Sequence, residues 1–336
     1  MKYLVTGVAG FIGNFVAERL CQLGHEVIGI DNLNNYYDVN LKKTRLNRIS
    51  HLEQFKFIEM DISDRKRVEN LFCKEKFKRV IHLAAQAGVR YSIDNPMAYI
   101  DSNIVGMTTI LEGCRNNKIE HLVYASSSSV YGMNEKMPFS EDDVVDHPIS
   151  LYAATKKSNE LMAYSYSHLY DLATTGLRFF TVYGPWGRPD MAPFLFCDAI
   201  LNDREIEVFN NGIMKRDFTY IDDIVEGIIR IQDVIPTRDT FDLHNTLPKN
   251  NTPYRLYNIG NSKPIELMKF IEAIEIASGK EAKKKFLPMQ AGDVPATFAD
   301  TSKLQQAIGF TPKTTIQNGI NAFVNWYKDY YGTSIK

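Results

Sequence analysis

Hydrophobic and polar residues follow two different periods along the first half of the chain. Residues 2–6 form a β-branched and aromatic run that ends at a glycine, and apolar residues then recur at helical spacing over 11–23. A second strand-like run at 26–31 completes a strand-helix-strand unit of about thirty residues. Further strand-like runs, separated by helix-length segments, occupy residues 55–61, 80–84, 121–125 and 173–179. This pattern predicts an α/β fold with a doubly wound parallel sheet.

Beyond the last of these strands the alternation weakens, and glycines and prolines divide the chain into loops. A strand-like patch at 206–209 and helix-like stretches at 222–232 and 267–278 predict a smaller α/β lobe over the carboxyl edge of the sheet. Folds of this class bind ligands at that edge. We therefore expect residues 1–180 to form the sheet domain, with further core segments from the C-terminal half, and residues 181–336 to form mainly a substrate-binding lobe.

The charge balance excludes partners that need a strong field. The 39 Lys and Arg residues face 40 Asp and Glu residues, so the formal net charge is −1. No field of the whole chain would hold a nucleic acid or an anionic membrane. The dense basic run at 283–285 is expected to be a solvated helix face. No apolar run reaches the ~18 residues of a membrane-spanning helix, so no membrane or nucleic-acid partner is expected.

Cysteine and histidine usage indicates the compartment and the absence of a metal. The four cysteines stand far apart without paired spacing, and a chain of 336 residues does not need disulfides to hold a core. The chain opens on a strand and glycines rather than on an apolar leader. The seven histidines show no metal-ligand spacing. We expect reduced thiols, a cytoplasmic location and no metal.

Glycines at the first strand-helix turn indicate a dinucleotide site. Gly7, Gly10 and Gly13 have the spacing GxxGxxG, which provides a tight turn, a close backbone approach to a pyrophosphate and close helix packing. The helix then begins where phosphates would lie. Asp31 ends the next strand, where its carboxylate would bind ribose hydroxyls and repel a 2′-phosphate, which favours NAD over NADP. The alternatives are chance glycines in an ordinary turn and an aspartate that serves the turn after the strand.

A second set of residues indicates hydrogen-transfer chemistry. Tyr152 and Lys156 stand four residues apart, on one face of a predicted helix. The lysine cation is expected to lower the pKa of the phenol, which would then take a proton from an alcohol while hydride leaves for a nicotinamide. The serine run at 126–129 follows a predicted strand and offers hydroxyls to the reacting oxygen. A solvated Tyr-Lys pair is the alternative for the helix face.

Taken together, these motifs resemble the extended short-chain dehydrogenases/reductases, and among them the nucleotide-sugar epimerases, over essentially the whole chain. The resemblance rests on several short segments rather than on one motif. They are residues 7–13, Asp31, Asp61-Ile62, the Leu-Ala-Ala-Gln-Ala run at 83–87, Asn103, the serines at 126–129, Tyr152 with Lys156, and the Arg-Asp-Phe-Thr-Tyr-Ile-Asp-Asp run at 216–223.

The resemblance implies roles for individual residues. The implied NAD site consists of Gly7, Gly10, Phe11, Ile12, Gly13, Asp31, Asn32, Asp61, Ile62, Leu83, Ala84, Ala85, Gln86, Asn103, Tyr152, Lys156 and Phe179. The implied catalytic residues are Ser127, Tyr152 and Lys156. The implied contacts to a UDP-sugar come from Arg90, Ser127, Ser128, Ser129, Thr181, Arg188, Arg216 and Asp293, of which Arg216 is most similar to the family's diphosphate-binding arginine.

Three segments, at 34–46, 86–92 and 179–192, resemble most closely the UDP-glucuronic acid 4-epimerases of capsule and lipopolysaccharide pathways. The resemblance implies conversion of UDP-glucuronate to UDP-galacturonate, in which hydride passes from C4 to bound NAD, the 4-keto sugar rotates and hydride returns. Dehydratases and decarboxylating synthases of the superfamily have an acid beside the catalytic hydroxyl, where this chain has Ser128 and Ser129.

Other activities on the same pattern stay open at this stage. A UDP-glucose or UDP-N-acetylhexosamine 4-epimerase would use the same three catalytic residues. A non-catalytic protein that senses the cofactor is possible on the same fold, because a fold alone does not dictate activity. The family also implies a homodimer through a helix bundle, with residues 92–114 and 152–170 as candidate faces.

Overall fold

A computed structural model describes residues 1–238, 252–290 and 294–332 of the chain. Its centre is a parallel sheet of seven strands, which confirms the predicted doubly wound α/β fold. The strands are β1 (Lys2–Thr6), β2 (Glu26–Asp31), β3 (Phe55–Glu59), β4 (Arg79–His82), β5 (His121–Ser127), β6 (Thr174–Phe179) and β10 (Tyr254–Ile259). Their order in the sheet is β10-β6-β5-β4-β1-β2-β3.

Helices cover both faces of this sheet, because side chains along each strand point alternately to opposite sides. In β1, Tyr3 and Val5 pack in a core cluster with helices on one face of the sheet. Leu4 packs in another cluster with helices on the other face. The helices of the first half are α1 (Phe11–Gln22), α2 (Val39–Ile49), α3 (Arg65–Glu75), α4 (Tyr91–Asp94), α5 (Pro96–Tyr99), α6 (Gly106–Asn116) and α7 (Leu151–Tyr170). A π-helical stretch at Ile100–Val105 joins α5 to α6.

The C-terminal half adds two small sheets and five helices among the described residues. Strands β7 (Thr181–Tyr183), β9 (Lys215–Tyr220) and β11 (Pro264–Glu266) form one sheet, and β8 (Glu205–Val208) pairs in parallel with β12 (Lys283–Phe286). The helices are α8 (Ala192–Leu201), α9 (Ile221–Ile231), α10 (Leu267–Ser278), α11 (Ser302–Ile308) and α12 (Ile316–Tyr331). A separate core cluster joins α8, α10 and α12.

Two segments of the C-terminal half belong to the central sheet and its cover. Strand β10 pairs in parallel with β6, and Ile224 and Ile228 of α9 pack in the same core cluster as α1. The chain thus returns to the first domain after it has entered the lobe. A division between residues 180 and 181 stays a prediction.

The basic run at 283–285 is not on a helix, so that expectation was wrong. Its backbone forms β12 and pairs with Glu205–Val208, and Lys284 forms an ion pair with Glu275 of α10. The lysines are solvated, but the neighbouring strand determines their conformation. Within the described ranges, no helix is both long enough and apolar enough to cross a membrane.

Candidate active site

A cleft with a volume of about 370 Å³ lies at the carboxyl edge of the central sheet. Parallel strands bring their carboxyl ends together at such an edge. Most of the residues predicted to bind cofactor or substrate line this cleft. They are Gly7, Gly10, Phe11, Ile12, Gly13, Asp31, Asn32, Ile62, Leu83, Ala84, Ala85, Gln86, Ser127, Ser128, Ser129, Tyr152, Lys156, Phe179, Thr181 and Arg188.

Four predicted residues are not among those that line the cleft, and Asp293 lies outside the described residues. Asp61 accepts a hydrogen bond from the Asn32 side chain at 2.7 Å, so it acts on the cleft through Asn32. Asn103 is buried behind Gln86, with its side chain bonded to both the N–H and the C=O of that residue at 2.8 and 3.0 Å. The remaining two, Arg90 and Arg216, are described below.

The glycine loop is shaped by close backbone contacts. Gly7 has a φ of +73°, which favours glycine, and a Cβ there would lie 2.8 Å from the backbone N of Ala84. A Cβ on Gly13 would lie 2.2 Å from the carbonyl oxygen of Gly7, so α1 reaches the turn this closely only with glycine at that position. Helix α1 begins at Phe11, and its N-cap residue Gly10 provides no side-chain cap; the first turn contains no acid. The loop therefore leaves a helix N-terminus open to an anion, as a dinucleotide pyrophosphate requires.

Asp31 provides the acidic group that a ribose-binding site requires. Its carboxylate accepts hydrogen bonds from the N–H of Ala9 at 3.1 Å and of Leu33 at 2.9 Å. Burial raises the pKa of Asp31, and these two bonds together with Lys42 and Arg45 act in the opposite direction. The glycine loop and Asp31 fit NAD, and a carboxylate at this position disfavours an additional phosphate on the ribose.

Tyr152 and Lys156 project into the cleft from the first two turns of α7. Ser150 is the N-cap residue of this helix, and its side chain accepts a hydrogen bond from Ala153 N at 3.1 Å. The Lys156 ammonium donates to the carbonyl oxygen of Ala125 at 2.8 Å, and burial lowers the pKa of Lys156 to about 8. The helix thereby holds the phenol and the amine at the end of β5.

The pKa of the Tyr152 phenol depends on groups other than those expected. Burial raises this pKa, whereas a hydrogen bond with Ser127 and the charge of Arg188 lower it. Lys156, which we expected to lower it, is not among the groups that shift this pKa, and its ammonium donates to the Ala125 carbonyl. Ser127 is itself fixed, because its hydroxyl bonds to the hydroxyl of Ser129 at 3.1 Å and accepts from its N–H at 3.2 Å.

A buried ion pair lies next to Lys156 on α7. Glu160, one turn after Lys156, accepts two bonds from Arg178 of β6 at 2.8 and 2.9 Å and one from the Ser126 hydroxyl at 2.6 Å. Both charged side chains are only 2% exposed. Loss of one partner from such a pair typically costs about 3–5 kcal/mol of stability. Together with the bond to Ser126, the pair therefore fixes α7, which carries Tyr152 and Lys156, against β5 and β6.

The substrate side of the cleft is made by the loop after β7. Arg188 pairs with Asp190 through two bonds, one of which is 3.0 Å long, and Asp190 also accepts from the Tyr36 hydroxyl at 3.0 Å. By contrast, Arg216 donates to the backbone oxygens of Lys215 and Pro295 at 2.9 and 3.3 Å.

Arg90 also faces the lobe rather than the cleft. Its guanidinium lies 5.7 Å from the ring centroid of Phe209, which follows β8. The structure thus brings together most of the predicted cofactor residues and the three predicted catalytic residues with Arg188, but not Arg90 or Arg216, of which Arg216 is the predicted diphosphate contact. No group of His, Cys, Asp and Glu side chains suited to a metal ion occurs in the described part of the chain.

Sequence reasoning missed one part of the cleft wall. Asn34, Tyr36, Tyr37 and Lys42 line the cleft after β2. The signal was the Asn-Asn-Tyr-Tyr run at 34–37, which contributed to the resemblance but received no role. Tyr36 contacts Asp190 and Tyr91, which are distant in the sequence, so local pattern did not indicate these contacts.

Comparisons with known proteins agree with this geometry. The family model described as GDP-mannose 4,6 dehydratase matches residues 4–323. A probable UDP-glucuronate 4-epimerase of Rhizobium meliloti (strain 1021) is 48% identical over 98% of both chains. UDP-glucuronate 4-epimerase 1 of Arabidopsis thaliana is 45% identical over 100% of this chain and 79% of its own length.

Solved structures extend the similarity to the fold of the whole chain. The UDP-glucuronic acid 4-epimerase of Bacillus cereus, in complex with UDP-glucuronic acid and NAD, is 32% identical with a TM-score of 0.88. The match covers 98% of this chain and 100% of that one. The chain therefore belongs to the GDP-mannose 4,6 dehydratase family, within the extended short-chain dehydrogenases/reductases.

Proposed function

We propose that this protein is an NAD-dependent UDP-sugar 4-epimerase that interconverts UDP-glucuronate and UDP-galacturonate. The observation that carries the proposal is that one cleft joins the glycine loop and Asp31 to Ser127, Tyr152 and Lys156. The relatives and the solved structure that are named UDP-glucuronate 4-epimerases support the same activity.

The residues of the cleft account for the proton transfers. Tyr152, as the phenolate, takes the proton of the sugar 4-hydroxyl, and Ser127, which lowers the pKa of Tyr152, positions that oxygen. NAD, when bound, supplies the acceptor that takes hydride from C4 and later returns it. The 4-keto sugar rotates about its diphosphate link between the two transfers. Tyr152 then gives the proton back to O4, and the configuration at C4 is inverted.

The acids of the cleft favour epimerisation over dehydration. Among the described residues that line the cleft, Asp31 is the only acid, and its oxygens accept from Ala9 and Leu33. Ser128 and Ser129 stand beside the catalytic hydroxyl, where a dehydratase needs a carboxyl group to move a proton at a neighbouring carbon. Epimerisation at C4 needs no such group, because Tyr152 both removes and returns the proton.

The preference for a uronic acid follows from the hydroxyl groups around the reacting carbon. Ser127, Ser128, Ser129 and Thr181 line the cleft and offer neutral donors to a carboxylate at C6. The nearby cation of Arg188 is paired with Asp190. The keto intermediate of a glucuronate is a β-keto acid that would lose carbon dioxide if its carboxylate aligned with the carbonyl. Neutral donors hold the carboxylate away from that alignment.

We further propose a cytoplasmic homodimer. The four cysteines, Cys21, Cys73, Cys114 and Cys197, are free thiols, which suits a reducing compartment. Exposed apolar side chains on α4, α5 and α7 give the helix-bundle faces at 92–114 and 152–170 a surface to bury: Ile93, Met97, Leu161 and Leu169. Light scattering that returned the mass of a single 38.4 kDa chain would contradict the dimer.

Turnover without added cofactor tests the activity. The purified protein is incubated with UDP-glucuronate, and the anomeric proton signals are followed by NMR, with UDP-glucose, UDP-N-acetylglucosamine and UDP-N-acetylglucosaminuronate in parallel. The expected result is UDP-galacturonate alone, with no accumulation of NADH. Conversion of only a neutral sugar would assign the enzyme to that sugar. A UDP-pentose product would show that the cleft does not restrain decarboxylation.

A further inference from the structure

The segment at residues 34–37, here called the strap, reaches across the cleft. It follows β2, yet it reaches residues after β4. The Tyr36 hydroxyl would lie 2.5 Å from a Cβ placed on Gly88, and the Tyr36 ring centroid is 4.7 Å from that of Tyr91. Gly88 and Tyr91 come after β4. Because β1 lies between β2 and β4 in the sheet, the strap crosses the carboxyl end of β1, where the glycine loop begins.

Tyr36 in the strap is bonded to the loop between β7 and α8, residues 184–191, here called the substrate loop. Tyr36 donates to Asp190 at 3.0 Å, and Asp190 holds Arg188, which lines the cleft. Tyr36 is therefore the point at which the cofactor wall and the substrate wall meet.

Arg45 of α2 also bonds to both the cofactor wall and the substrate wall of the cleft. The side chain is fully buried, and its five bonds go only to uncharged acceptors. They are the carbonyl oxygens of Ala9 at 3.1 Å, Trp186 at 2.6 and 3.0 Å and Gly187 at 3.1 Å, and the hydroxyl of Tyr37 at 2.7 Å. One guanidinium thus joins the glycine loop, the strap and the substrate loop.

These bonds hold the substrate loop in an unusual conformation. Trp186 has a φ of +64°, a region that non-glycine residues seldom adopt. Two of the Arg45 bonds are made to its carbonyl oxygen, and the loop continues to Arg188 and Asp190. The contacts form a closed circuit from Arg45 through the loop to Asp190, on to Tyr36 and Tyr37, and back to Arg45. If the strap moved away from the substrate loop to open the cleft, the Tyr36–Asp190 and Arg45–Tyr37 bonds would break.

We propose that Tyr36 and Arg45 form a clasp across the cleft that retains NAD through repeated turnovers. The inference rests on the use of NAD in the proposed function. A 4-epimerase returns its hydride in every cycle, so the cofactor has no need to leave. The buried guanidinium charge next to Ala9 also favours an anionic diphosphate at the glycine loop.

The dissociation rate of NAD tests the clasp without any sugar. Wild type, Tyr36→Phe and Arg45→Met are purified, and the NAD retained per chain is measured after extraction. The release of radiolabelled NAD into an excess of unlabelled NAD is then timed. We expect release to be about 5-fold faster in Tyr36→Phe and at least about 10-fold faster in Arg45→Met, because lost contacts act mainly on dissociation. Arg48→Met is the matched control, since Arg48 lies on the same helix and bonds to Asn14 and Glu18 instead.

Unchanged release rates in folded Tyr36→Phe and Arg45→Met would overturn the clasp, as would equally fast release from Arg48→Met. Should Arg45→Met not fold, Tyr36→Phe decides alone, because it removes a single oxygen at the cleft rim. The measurement uses no UDP-sugar. A wrong substrate assignment would therefore leave the result unaffected, and a failed clasp would leave the epimerase assay unaffected.

Discussion

The cofactor side of the cleft is made of strand ends, whereas the sugar side is made of loops that connect the sheet domain to the lobe. Gly7, Asp31, Leu83 and Ser127 lie at or directly after the carboxyl ends of β1, β2, β4 and β5. Arg188, by contrast, is placed by Asp190 and a loop that Arg45 holds. Hydrogen bonds of the sheet fix the first group to one another, while the second group depends on contacts between distant segments. Changes on the two sides should therefore affect different measured quantities.

The largest effect is expected on the cofactor side. Tyr152→Phe removes the proton acceptor, so kcat should fall by about 10²–10⁴-fold, the usual range for a general base. The amount of bound NAD and the affinity for UDP-sugar should change little. Tyr166→Phe is the control, since Tyr166 is on the same helix and bonds to Glu112 outside the cleft. An active Tyr152→Phe enzyme would remove Tyr152 as the base.

A smaller effect, on KM rather than on kcat, is expected on the sugar side. If Arg216 turns to the diphosphate when UDP-sugar binds, Arg216→Met loses bonds to a charged group worth about 1.5–3 kcal/mol, and KM rises about 10- to 100-fold. Bound NAD should stay at the wild-type level. Arg204→Met serves as the control, because Arg204 is an exposed arginine of the lobe that pairs with Asp198. An unchanged KM would show that residues other than Arg216 bind the diphosphate.

The last effect is on stability rather than on kinetics, and it concerns the charge buried on the cofactor side. The pKa of Lys156 is lowered from 10.5 to about 8 by burial, so between these values the unfolded chain holds a proton that the folded chain has lost. Stability from this group therefore rises with pH across that window, by at most about 1.4 kcal/mol per pH unit. Denaturant unfolding at pH 8 and pH 10 should show this rise in wild type but not in Lys156→Met. Lys66→Met, at an exposed site, should behave as wild type.

The same division separates what the sequence predicts from what it does not. The strands that carry Gly7, Asp31 and Ser127 alternate with helices in a pattern that local periodicity reveals, and parallel pairing then brings their ends together. Roles for these residues stay predictions, but their meeting in one cleft was foreseeable.

The rest depends on contacts that local pattern does not contain. Tyr36 meets Asp190 across 154 positions of sequence, and no local signal specifies that bond. The run at 283–285 has the composition of a helix surface, yet its pairing with β8 makes it a strand, because tertiary context overrides propensity. The segment of β10 was not recognised as a strand for a similar reason. The position of β10 is determined by its parallel pairing with the edge of β6 that β5 does not occupy.

That place has a consequence for how the protein is made. The last strand of the sheet, β10, is synthesised some 75 residues after β6, its sheet neighbour. Until residues 254–259 leave the ribosome, one side of β6 presents unpaired N–H and C=O groups, the feature through which unfinished sheets join to one another. During synthesis the growing chain thus carries an open edge while the first part of the lobe, with β7, α8, β8 and β9, is being added. The sheet that holds the cofactor side is thus finished before α10 and α12, which complete the core of the lobe, exist.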